Sequence, residues 1–201
     1  MARRSMKFTA TGAWFAMQRM LDPQRFNDRL EREVAKATVL NGRIAAKKIR
    51  DEIKKGAYEE NADLTKILKA PKTKPLIGKD GALWAAIGHE VVDSWSTFVG
   101  VIKSVKGRSE EELIDIAEVL HDGQTITVTQ QMRDFFKMLT IKTGGAVKPL
   151  KPSTEAIVIP ARPFLENALK DPQLAKVIND NWQIAVSNAL YDLRQPFNVT
   201  I

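Results

Sequence analysis

The chain contains no cysteine, and that absence excludes disulfides, thiolate metal sites and a cysteine nucleophile together. Histidine is nearly as scarce. His89 and His121 are far apart in sequence, each at a turn or strand end, and are read as ordinary structural positions rather than as a shared metal or catalytic pair. No Walker phosphate loop, Rossmann glycine pattern, His-x-x-x-His pair or nucleophile-elbow serine occurs. The carboxylates Glu110, Glu111, Glu112, Asp115 and Glu118 suit a helix start and a wet face, because acid/base work needs burial to shift a pKa. No apolar run reaches the roughly 20 residues that span a bilayer, and the N-terminus has no continuous apolar region of secretory type. The expectation is therefore a chain made and used in water, in the cytoplasm, with no enzyme activity, cofactor, metal or membrane contact.

What is present is an ordinary globular composition over 201 residues, 44% hydrophobic and 27% charged. That length supports one well-filled core with an extended arm. The net charge of +7 and pI near 9.6 raise the local concentration of any polyanion, whether DNA, an acidic protein face or an anionic membrane. A group such as Arg43, Lys47, Lys48 and Arg50 has two readings, a solvated helix face and a polyanion contact.

Residues 1–21 form an apolar but irregular N-terminal arm, either ordered on a neighbour or covering the core. Asp22-Pro23 is a capping acid followed by proline at the first helical position. It opens a helix over 22–55, proline-free after Pro23, with Phe26, Leu30, Ala37, Leu40 and Ile44 on one stripe and Ile49 and Ile53 continuing on a shifted one. Gly42 marks a bend or a close crossing, and Gly56 ends the helix. A short helix over 61–68, a stiff basic connection over 70–75 and another short helix over 81–87 follow. Glu90–Ile102 makes two strands about a turn at Asp93–Ser96, with Trp95 as core cover or else lumen-facing or partner-facing. Ser109 caps a helix that ends at His121-Asp122-Gly123. Ile126 and Val128 form a strand, and Thr129 caps a helix that buries Met132, Phe135, Phe136 and Leu139. Asp171-Pro172 opens a last helix to about Arg194, wet only at its charged margins, and residues 196–201 are a tail suited to adding a strand to another chain's sheet edge.

Between these lies the most definite local shape. Ile157, Val158 and Ile159 read as a short buried strand, ended by Pro160. Pro163 presses Arg162 into an extended conformation and suits the first position of a helix whose apolar face is Phe164, Leu165, Ala168 and Leu169. A cation there faces the positive end of the peptide dipoles, at a cost of a few tenths of a kcal/mol. The offset is an intrachain carboxylate or solvation, or else a carboxylate on a neighbouring subunit, which the planar guanidinium would bind in bidentate fashion.

Ile159-Pro160-Ala161-Arg162-Pro163-Phe164-Leu165 resembles a signature near the C-terminus of the tail completion, or virion morphogenesis, proteins of long-tailed bacteriophages. Lys74-Pro75-Leu76-Ile77-Gly78-Lys79-Asp80-Gly81-Ala82-Leu83-Trp84-Ala85-Ala86-Ile87 is similar to that family's Pro-Leu turn and small-residue helix. Ala117-Glu118-Val119-Leu120-His121-Asp122-Gly123 resembles its "His, any residue, Gly" turn, and Ile126–Arg133 its strand, Thr and Met-Arg helix. The resemblance covers residues 74 to 170 in order, with Lys-Asp standing before Gly81 where the family pattern has Asp-Thr.

The resemblance implies a structural virion protein in the tail or neck. Copies would form a ring, hexameric by the likeness, that completes the head-proximal end of a tail or joins it to the head connector around a DNA channel. Its partners would be tail tube, terminator and connector proteins and the passing phage DNA. The fold implied is α+β, a small, mostly antiparallel sheet of about four strands packed by helices, with a long N-terminal and a C-terminal helix in one domain over 22–195. Pro160, Arg162, Pro163 and Phe164 would form the interface corner, and Lys72, Lys74 and Lys79 could face the DNA. The alternative is a basic nucleic-acid-binding module built on the long helix.

Overall fold

The computed structural model describes residues 22–55, 58, 76, 81–105 and 107–194. The arm 1–21, the expected helix 61–68, the connection 70–75 and the tail 196–201 lie outside them. The chain is a mixture of helix and sheet: α1 Pro23–Lys55, α2 Ala82–Ala86, β1 Ile87–Val91, β2 Thr97–Val101, α3 Glu110–Asp122, β3 Gln124–Thr127, α4 Gln130–Lys142, β4 Ala156–Ile159, α5 Phe164–Leu169 and α6 Pro172–Arg194. Its packing falls into two units. One gathers the chain up to Asn41 with Val91–Thr97 and Lys176 onward, and the other comprises Gly42–Glu90 and Phe98–Ala175.

Helix α1 begins as its sequence requires. The Asp22 carboxylate accepts the Gln24 N–H at 3.1 Å, and Pro23 occupies the position where a missing N–H costs nothing. The helix runs unbroken through Gly42. Its buried face is Val34, Ala37, Thr38, Asn41, Ala45, Ala46, Ile49 and Ile53. The expected stripe is therefore rotated, because small residues set the face by allowing close approach, and Leu40 is exposed.

The first unit has a thin core in which polar groups are matched. Val34 and Ala37 are buried in α1, Ala185 and Ala189 in α6. The buried Thr38 hydroxyl donates to Ser94 O at 2.7 Å, and the Asn181 amide donates to Asn41 Oδ1 at 2.7 Å. Each of these bonds offsets the cost of burying a polar group. The turn between β1 and β2 is made by Asp93, whose carboxylate accepts the N–H of Trp95 at 2.7 Å and of Ser96 at 2.8 Å, and the Ser96 hydroxyl. The Ser96 hydroxyl foremost, then the Trp95 N–H, hold that carboxyl below its ordinary range.

The second unit holds the larger core, with Ala46, Ile49 and Ile53 of α1 in one cluster with Leu76, α2, Ile87, Val101, Leu113, Phe164 and Ala168. Lys54 lies 4.5 Å over the Trp84 ring, and Lys48 pairs with Asp171. Helix α2 gives way to β1 one residue earlier than the sequence reading, because Ile87 is extended at φ −64° and ψ 130° and Gly88 passes against Ile102 with no room for a Cβ.

Among the described residues there are four strands, as expected, but not as one sheet. β1 pairs with β2 and β3 with β4, in two separate two-stranded sheets. β3 and β4 are antiparallel, with Gln124 opposite Ile159 and Thr127 opposite Ala156. The β-branched run of β4 is not a buried strand: Ile157 and Ile159 are half-covered while Val158 is 68% exposed. This is the alternation of a ribbon covered on one face.

Two predictions follow from local bonds. Ser109 and Glu112 form a complete capping box at the start of α3, so Ser109→Ala should lower stability by about 1 kcal/mol, measurable by urea unfolding. The Tyr58 hydroxyl donates to Glu52 Oε1 at 3.0 Å and accepts from the Asn167 amide at 3.3 Å. Burial pushes that hydroxyl up to about 12, with the Asn167 bond opposing the rise and the Glu52 bond adding to it. A pKa above the unfolded value of about 10 contributes stability that is present below pH 10 and lost toward pH 12. Stability measured across that window should fall in the parent and fall less in Tyr58→Phe.

Candidate functional site

The elbow between β4 and α5 is built on the C-terminal end of α3. Gly123 ends that helix at φ 76°, its N–H donating to Val119 O. The next two carbonyls, of Leu120 and His121, both accept the N–H of Arg162, at 3.0 and 3.1 Å. One donor thus satisfies two acceptors that a helix end would otherwise leave open. A Cβ on Gly123 would stand 2.7 Å from Ala161 N and 2.8 Å from Ile159 O, so the two backbones touch there and only glycine fits.

Pro163 is not the first residue of α5, as its sequence position led us to expect. It has φ −73° and ψ 62°, and the Phe164 N–H donates to Arg162 O at 2.7 Å, which is an inverse γ-turn. The proline tightens the corner one residue before the helix, and its carbonyl accepts the Asn167 N–H at 3.0 Å. Phe164 is fully buried and meets the His121 ring edge-on at 5.6 Å.

Arg162 is 3% exposed. The guanidinium and the Phe164 ring therefore belong to the interior of their own unit rather than to a surface corner. Pro160 and Pro163 are half-buried beside them. The backbone of Arg162 sits at the C-terminal end of α3, a helix of 13 residues, as well as at the start of α5, which has only 6. Lys72, Lys74 and Lys79 lie outside the described residues.

The sequence reading missed the exposed apolar surface. Helix α4 has no buried residue: Phe135, Met138 and Ile141 are exposed, Ile141 at 81%, and Met132, Phe136 and Leu139 are only half-covered. Its amphipathic period is that of a core helix, and periodicity alone does not say whether the apolar face is met by the same chain. What fixes α4 is polar, the Arg133 guanidinium donating to Lys151 O and Thr154 O at 2.7 Å each. In the first unit, α6 exposes Ile184, Val186, Leu190 and Tyr191, where charged margins alone were expected to be wet. Trp95 is 59% exposed and stacks on Trp182 at 6.2 Å between centroids, so it is not core cover.

Among the described residues no group of three or more His, Asp or Glu is placed to hold a metal, and no helix is long and apolar enough to cross a membrane.

Gly123→Ala should cost about 2 kcal/mol or more, from a strained φ and the backbone clash together, read as a lower urea midpoint with an unchanged slope. No protein-family model, curated protein or solved structure matches the chain.

Proposed function

We propose that the chain is a structural assembly subunit, and that its assembly is a ring at the head-proximal end of a phage tail or at the neck, around a channel for DNA. The observation that carries the assembly part is the exposure of Phe135, Met138 and Ile141 on α4 and, in the other unit, of the apolar residues named on α6. Large apolar side chains left in water favour association, at about 25 cal/mol for each Å² withdrawn. The phage part rests on the ordered motifs from Lys74 to Leu169, and virion location and tail or connector partners come with it. In a ring, one patch meets a different patch on the next copy, and the contact closes only at one rotation angle.

Within this reading the elbow is a positioning device. By clamping α5 and β4 onto the end of α3 it holds one unit rigid, so that its exposed face is presented in one geometry.

Native mass measurement and negative-stain imaging of the full chain test the proposal. A closed oligomer is expected, and Phe135→Glu with Ile141→Glu should shift it to monomer at micromolar concentration with helix content retained. A parent chain that stays monomeric at hundreds of micromolar, alone and with tails, would overturn the reading.

A further inference from the structure

Eight of the ten basic residues of α1, all but Lys48 and Lys55, are not scattered. Arg25, Arg29, Arg32, Lys36, Arg43, Lys47, Arg50 and Lys54 follow one another at three or four residues, with a single gap of seven at Val39 and Leu40. At 3.6 residues per turn all eight fall within an arc of about 60°, and first and last are about 44 Å apart along the axis. Val34, Thr38, Asn41 and Ala45 of the buried face lie about 150–170° from the midline of that arc, Ile49 about 130°, Ala37 about 110°, Ile53 about 90° and Ala46 about 70°. Up to Asn41 the cations stand opposite the buried face, and beyond it they run along one edge of that face. Arg29 and Arg50 are half-exposed and the other six exposed.

The flanks are of opposite sign. Asp28 stands about 70° to one side of the midline, and Glu33 and Asp51 about 70° to the other. The result is a narrow line of positive charge with acidic residues on its shoulders. Part of it is engaged within the chain, Lys36 with Glu33, Lys54 over Trp84 and Arg50 Nε donating to Ile87 O at 3.1 Å. Among the described residues no salt bridge takes Arg25, Arg43 or Lys47.

We propose that this line is a binding site for the phosphate backbone of double-stranded nucleic acid, contacted without regard to base sequence. A duplex carries about one negative charge per 1.7 Å of its axis, so about 25 phosphate charges would run beside a rail of this length. A linear row of phosphates meets the cations while the shoulder acids face away from it. A broad anionic membrane would meet both, and a membrane-binding helix also turns its apolar face to the lipid, whereas that of α1 is inside the protein. Arginine provides five of the eight rungs, and its planar fork suits phosphate oxygens.

The rail does not depend on ring assembly, and the two are separable. Fluorescence anisotropy of a labelled 30-base-pair duplex with the full chain, from 50 to 300 mM salt, gives affinity and salt slope. We expect binding with a steep slope. Replacing Arg25, Arg32, Arg43 and Lys47 by glutamine should cut the slope by about 3 to 4 and weaken binding roughly 100-fold at 100 mM salt. The halves Arg25→Gln with Arg32→Gln, and Arg43→Gln with Lys47→Gln, should each remove about half of that slope. A control with Lys137, Lys142, Lys148 and Lys151 replaced by glutamine carries the same charge change away from α1 and should keep the parent slope. No binding by the parent, or equal loss in the control, overturns the rail. A ring that ignores DNA would sink the rail alone, and a DNA-binding monomer would sink the assembly reading alone.

Discussion

The second unit depends on how the last carbonyls of α3 are satisfied. The last turn of a helix leaves carbonyl acceptors with no partner in the helix itself. Here the bonds come from Gly123 and from Arg162, forty residues further on, so the end of one helix fixes the start of another. Everything between them, the β3–β4 ribbon and α4, is a loop closed at that point. A left-handed glycine, a proline γ-turn and a buried phenylalanine all lie within two residues of the bonds that close the helix end.

Elements whose boundaries are set by local chemistry were legible in the sequence. Asp22-Pro23, Ser109 with Glu112, Thr129 and Asp171-Pro172 each mark a helix start within a residue of where it occurs, because caps act over three or four residues. The turn at Asp93–Ser96 was legible for the same reason. Strand pairing was not. Four strands were foreseen, but their division between two sheets depends on which edges meet, and that is decided by packing far along the chain. Nor was burial legible. Val158 in its β-branched run and Phe135 on its amphipathic helix both carry interior signals and are both exposed, since the code for an apolar face is the same whether the chain or another molecule covers it. Arg162 fails in the other direction. An arginine beside two prolines suggested a presented charge, and its burial follows from a helix end that its own neighbourhood does not contain.

Surface chemistry differs between the elements. Helix α1 is polar on the side away from the core, with like charges in line, while α4 and α6 keep large apolar groups in water. Charge in line gives long-range attraction that weakens with salt, and apolar area gives short-range adhesion that does not. In the proposed reading, the first would gather the chain onto a polyanion and the second would hold it to its neighbours.

Because each sheet has two strands, every strand is a border strand, with one row of backbone donors and acceptors turned outward. Borders of four or five residues are too short to seed unlimited stacking, which blunts the risk of fibre formation at high local concentration. The same brevity means that neither ribbon would persist alone in water, so both owe their existence to the helices beside them.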